Sequence, residues 1–196
     1  YQRIITSTML VAFACMLGLV AIAKPLILIL IGAKWLPAVI YLQIICLAGM
    51  LYPMHAINLN ILLVKGRSDL FLRLEIIKKI ISAIPIYLGI FHGIEFMLWG
   101  SVFISFVAYL LNSYYSGMLI NYSTWAQIKD ISPSFLVSIF VASAMWSLTL
   151  LNYSIWITFP LQCILGFVMA IAIYETIKST EYFEIKGILL SIIKRK

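Results

Sequence analysis

Residues 4–23 read IITSTMLVAFACMLGLVAIA: twenty consecutive positions without a charge. An α-helix rises 1.5 Å per residue, so such a run is long enough to cross roughly 30 Å of hydrocarbon. The pattern returns along the chain. Spans are expected at about Ile4–Ala23, Pro37–Val64, Ile76–Phe91, Phe96–Ile120, Pro133–Leu151 and Ile155–Ile177. The composition agrees: of 196 residues, 64% are hydrophobic and 11% charged. Soluble domains run nearer half apolar and a quarter charged, and a small soluble domain cannot hide that much apolar surface. The fold class expected is all-α, a polytopic transmembrane bundle of about six spans.

The breaks between spans carry their own signals. Lys24-Pro25 is expected to end the first span, since proline lacks a donor and clashes with the preceding turn. Leu26–Ile31 then lies at the interface. Gly49 and Pro53 mark a kink in the second span. The most charged segment, residues 65–79 (KGRSDLFLRLEIIKK), predicts an amphipathic elbow on the membrane surface at 67–79. Ser68 or Asp69 would cap it, Asp69 with Arg73 and Glu75 with Lys79 stand at i,i+4 spacing, and Leu70, Leu74, Ile77 and Ile81 form an apolar stripe. A loop is expected at Asn121–Ile131, with Ser132-Pro133 opening the fifth span. The tail from Lys178 to Lys196 reads as a second interfacial helix.

The formal net charge is +7. Numbering the loops alternately puts twelve of the fourteen Lys and Arg residues on one side and only Lys24 and Lys34 on the other. The positive-inside rule makes the crowded side, and both ends of the chain, cytoplasmic, and it favours an even number of spans. No segment is polar and long enough for a nucleic-acid face, so no nucleic-acid partner is expected. Cys15, Cys46 and Cys163 lie in apolar runs without CxxC spacing, which indicates neither a disulfide framework nor a metal site. The chain begins at Tyr1, not Met, and is expected to be a truncated piece without a signal peptide.

Polar groups inside the spans are the candidate functional residues, because hydrocarbon penalises them. His55 and Asn58 share a face of the second span near Gln43. Ser101, Ser105, Ala108, Tyr109, Asn112 and Ser116 fall within an arc of about 100° on the fourth. Two readings stand for each group: it lines an aqueous pathway, or it hydrogen-bonds a neighbouring helix. The pathway candidates are His55, Asn58, Tyr109, Asn112 and Gln43, with Lys65 and Arg67 at a cytoplasmic mouth. Gly166 and Ala170, and Ser134, Ser138 and Ala142, read as packing seams. No motif for catalysis, cofactor or metal appears, and no acid sits at mid-membrane, so the chain is expected not to be an enzyme, to carry no catalytic residue and to need no cofactor. A membrane-embedded glycosyl- or acyltransferase stays as an alternative, with His92 and Glu95 the outer pair it could use.

The run Gly32-Ala-Lys-Trp35, Ala38-Val-Ile-Tyr-Leu-Gln43, Asn58, Gly66-Arg-Ser-Asp-Leu70, Leu74-Glu-Ile-Ile-Lys-Lys79, Asn112-Ser-Tyr-Tyr-Ser-Gly117 and Asp130-Ile-Ser-Pro133 resembles bacterial polysaccharide flippases. These are the O-antigen type exporters of the multidrug/oligosaccharidyl-lipid/polysaccharide superfamily, which is MATE-like. The resemblance implies the C-terminal portion of a 14-helix transporter: residues 1–121 as the second half of the C-terminal lobe, 122–177 as two additional helices, and 178–196 as a cytoplasmic tail. It implies alternating access, a polyprenyl-pyrophosphate-linked oligosaccharide as cargo, the bacterial cytoplasmic membrane as location, and bilayer lipids and the missing N-terminal helices as partners. A drug or metabolite exporter of the same superfamily is the nearest alternative, and a non-transporting membrane scaffold stays open beside it.

Overall fold

The computed structural model describes residues 1–151, 153–177, 179, 181–183 and 185–187. Most of the expected interfacial tail lies outside them. Among the described residues the chain is helical with no strand. Among the described residues, five helices or helix pairs are long and apolar enough to cross a membrane: Gln2–Leu30, Ala38–Val64, Ile94–Ile120, Thr124–Leu151 and Ile155–Ile177. The protein is an all-α polytopic membrane bundle.

The helices are α1 (Gln2–Leu30), α2 (Ala38–Gly49), α3 (Tyr52–Val64), α4 (Ser68–Ile81), α5 (Ala83–His92), α6 (Ile94–Ile120), α7 (Thr124–Ser147) and α8 (Ile155–Ile177), with short 3-10 turns at Ala33–Trp35 and Leu148–Leu151. They form two compact units, Tyr1–Leu36 with Ile131–Lys196, and Pro37–Asp130.

In the first unit α1 packs on α8. The core forms around Ala21, Val141 and Met145, flanked by Ile22, Val137 and Met169. The rings of Phe13 and Phe135 meet at 5.1 Å. Gly166 admits the side chain of Met145, whose sulfur would stand 2.5 Å from a Cβ there.

In the second unit α6 is the central rod, packed against α2, α3, α4 and α5. Gly93, at φ 94°, reverses the chain from α5 into α6 and needs glycine's freedom at positive φ. Gly100 lets Pro85 and Leu88 approach to 3.3 Å of where a Cβ would stand.

Several boundaries differ from expectation. Pro25 does not end α1; it is buried inside it. Leu26–Leu30 therefore belongs to α1 rather than to an interfacial piece. In lipid, leaving the helix would expose several peptide groups, whereas keeping it forfeits one bond. Pro133 likewise sits inside α7, which begins nine residues earlier. The loop expected at Asn121–Ile131 shrinks to a tight turn. Asn121 takes the left-handed conformation (φ 53°, ψ 38°), the Tyr122 N–H donates to the Gly117 carbonyl at 3.1 Å, and Ser123 Oγ accepts the Ala126 N–H at 3.2 Å. This is a left-handed C-terminal stop followed by a serine N-cap.

The third expected span is split. Its residues fall in α4 and α5, separated at Ser82, and α5 alone has 10 residues. That is about 15 Å of helix, half a bilayer core. The kink at Gly49 and Pro53 is present as a break, with Met50 and Leu51 between α2 and α3. The elbow is helical as expected, but Arg67 is its N-cap and no side chain caps it. Its ion pairs also differ: Arg67 bonds Asp69 and Lys78 bonds Glu75. An Arg one residue before the helix reaches Asp69 with both Nε and Nη2, a fork that Arg73 is left out of.

Candidate functional site

The polar residues of α3 and α6 form one seam in the second unit. His55 and Asn58 are three residues apart, so α3 presents them on one face. The facing arc of α6 carries Ser105, Tyr109, Asn112, Ser113 and Ser116. Asn58, Asn112, Ser113 and Ser116 are fully buried, and Tyr109 is 1% exposed.

One hydrogen-bond chain starts at the α2–α3 break. Pro53 has no N–H to offer the preceding turn, so carbonyls there need other donors. Ser105 Oγ donates to the Ala48 carbonyl at 2.8 Å. Its single proton is thereby used, so His55 Nε2, 3.2 Å from the same oxygen, must donate to it. His55 Nδ1 is then an acceptor, and Asn112 Nδ2 stands 3.4 Å from it. A neutral imidazole with its proton on Nε2 satisfies the whole chain. The Asn112 carbonyl oxygen is buried without a partner.

A second cluster joins α3 and α6 to the start of α7. Ser116 Oγ donates to Asn58 Oδ1 at 2.6 Å, and Asn58 Nδ2 donates to Gln127 Oε1 at 3.2 Å. Gln127 Nε2 donates to the Tyr122 carbonyl at 3.2 Å, Ser113 Oγ donates to Thr124 Oγ1 at 3.0 Å, and Tyr122 Oη donates to Asp130 Oδ2 at 2.5 Å. Gln127 is fully buried. It was missed in the sequence because it fell in the expected loop; Ser123 as an N-cap was the signal that would have put it on a helix.

Three of the five pathway candidates, His55, Asn58 and Asn112, therefore join these hydrogen bonds, and Tyr109 lies buried on the same arc of α6 with its hydroxyl outside them. Gln43 lies on α2, partly buried. Lys65 and Arg67 are exposed at the α3–α4 turn, where Gly66 holds φ 69°. Arg67 is engaged by Asp69 at 2.9 Å. His92 and Glu95 are exposed beside Gly93. Among the described residues no three His, Cys, Asp or Glu side chains gather into a metal site. Apart from the Asp130 carboxylate at its end, the seam is built of hydroxyl, amide, imidazole and carbonyl groups joined by hydrogen bonds.

The first unit contains a cleft of 490 Å³ among α1, α7 and α8. Gly18, Ala142, Gly166 and Ala170 open it by their small size, and Phe167 and Leu19 give it apolar walls. Ser138 and Tyr174 contribute hydroxyl groups to its lining.

No protein-family profile matches the chain, and no solved structure is significantly similar. Over 130 residues, 66% of the chain, it is 27% identical to the teichuronic acid biosynthesis protein TuaB of Bacillus subtilis (strain 168). The aligned part is 27% of that protein's length, so the chain spans about a quarter of this curated relative.

Proposed function

We propose that the protein carries a polyprenyl-pyrophosphate-linked oligosaccharide across the bacterial cytoplasmic membrane for surface polysaccharide synthesis. The observation that carries this reading is the similarity over 130 residues to a protein of teichuronic acid biosynthesis, found in a chain that is itself a membrane bundle. A polymer built on a lipid carrier inside the cell and used outside needs a membrane step, and a helical bundle is the architecture for it. Alternating access is the mechanism proposed, with helices beyond this chain supplying the rest of the cavity. The α3–α6 seam, buried within the second unit, would brace a wall of that cavity, and the apolar cleft of the first unit would receive the lipid tail. Both ends of the chain would be cytoplasmic, and the protein would perform no covalent chemistry.

The test is a strain lacking the gene. Surface polysaccharide should fall and the lipid-linked oligosaccharide should accumulate on the inner leaflet. Complementation with Tyr109→Leu/Asn112→Leu should restore membrane insertion but only part of the export. Unchanged polysaccharide in the deletion strain would sink the proposal. Loss of polymer without accumulated precursor would point instead to a membrane-embedded transferase.

A further inference from the structure

The outward face of α4 carries two cations that its own acids do not neutralise. Asp69 is engaged by Arg67, and Glu75 by Lys78. Arg73 and Lys79 remain exposed; Asp69, held by Arg67, shares their side of the helix one turn nearer its N-terminus. Between them runs an apolar ridge of Leu72, Ile76 and Ile80, which are 59%, 51% and 68% exposed. At 100° per residue the ridge covers about 80° of the helix surface, with Lys79 about 20° outside Leu72 and Arg73 about 20° outside Ile80. The opposite side of α4, with Leu74 buried, packs on α3 and α6. The helix is therefore apolar on two faces, and the one turned away from α3 and α6 is bordered by a positive charge on each flank.

We propose that this ridge binds anionic phospholipids of the bilayer, their acyl chains against Leu72, Ile76 and Ile80 and their phosphates at Arg73 on one flank and at Lys79 on the other. The guanidinium supplies a planar pair of donors for phosphate oxygens and the ammonium a mobile point charge. A zwitterionic headgroup brings its own cation and gains less from the pair. The changed ion pairing creates the site: had Asp69 taken Arg73 and Glu75 taken Lys79, the outward face would be neutral. The lipid tethers the elbow, and this role stands independently of the cargo.

The purified protein, stripped of lipid, is titrated with phosphatidylglycerol or with phosphatidylcholine of the same acyl chains, and bound lipid is counted by native mass spectrometry. The wild type should prefer phosphatidylglycerol, and R73Q/K79Q should lose that preference by about fivefold for each charge removed. The charge-preserving R73K/K79R should keep it. Equal retention of both lipids by the wild type, or an undiminished preference in R73Q/K79Q, overturns the proposal. Displacement of phosphatidylglycerol by equimolar polyprenyl diphosphate also overturns it, by making the ridge a cargo contact.

Discussion

Ser116 Oγ donates to Asn58 Oδ1 at 2.6 Å, and both side chains are sealed from solvent. Asn58 passes the connection on to Gln127, so a single amide ties α3 to α6 and to the first turns of α7. Interhelical hydrogen bonds in membrane proteins couple by about 0.6 kcal/mol on average and at most about 1.7. The 2.6 Å contact belongs near the upper end. Asn58→Ala and Ser116→Ala should each lower the melting temperature in detergent, and the double variant should lose about 1–1.5 kcal/mol less than the sum. Strict additivity would show that the pair carries no interaction energy.

Two glycines separate backbone crowding from side-chain crowding. A Cβ at Gly117 would stand 2.6 Å from the Tyr122 carbonyl oxygen, while one at Gly166 would meet the sulfur of Met145 at 2.5 Å. The thioether can move and the turn carbonyl cannot without dismantling the stop between α6 and α7. Gly117→Ala should therefore cost about 2–3 kcal/mol of stability and Gly166→Ala about 1 kcal/mol or less. In a Met145→Ala background Gly166→Ala should cost nothing further, while Gly117→Ala should cost as much as before. Thermal unfolding of the three single and two double variants checks the order.

Asp69 should keep its charge deep into acid. The hydrogen bond from Arg67 holds its carboxyl at about 2, below the ordinary 3.8. A lowered folded value means that the contribution of this pair is complete above pH 3.8 and disappears as pH falls through about 2. Carbon NMR of labelled aspartate should give that midpoint, and Arg67→Gln should return it towards 3.8. An unmoved midpoint would remove Arg67 as the cause.

The split third span makes topology the open measurement. With Cys15, Cys46 and Cys163 replaced by alanine, Ser68→Cys should react with a membrane-impermeant maleimide only after the cytoplasm is opened, whereas Lys34→Cys should react in intact cells. If α4 and α5 together cross the bilayer, Asn121→Cys should label with Ser68→Cys; if they do not, it should label with Lys34→Cys.

Most of the helices were legible because an uncharged run of bilayer length has few other uses. The break at Gly49 and Pro53 was legible for the same local reason. Pro25 and Pro133 misled because proline's effect depends on the solvent: water would take up the freed peptide groups at a helix end, and lipid does not. The polar arc of α6 could be placed on one face from spacing alone. Its partners could not, because Gln127 reaches Asn58 across 69 positions of chain. The ion pairs of α4 were within sight but came out differently, since spacing gives proximity and not which of two nearby cations reaches an acid first.

The α2–α3 break has a mechanical consequence. Met50 and Leu51 keep ordinary right-handed backbone angles (φ −62°, ψ −24° and φ −90°, ψ −4°), so swinging one half against the other crosses no forbidden region. The restraint on that swing includes the alcohol of Ser105 seated on the Ala48 carbonyl. A straight transmembrane rod transmits force along its length. This one is a crank, and its friction is set by a side chain on its neighbour.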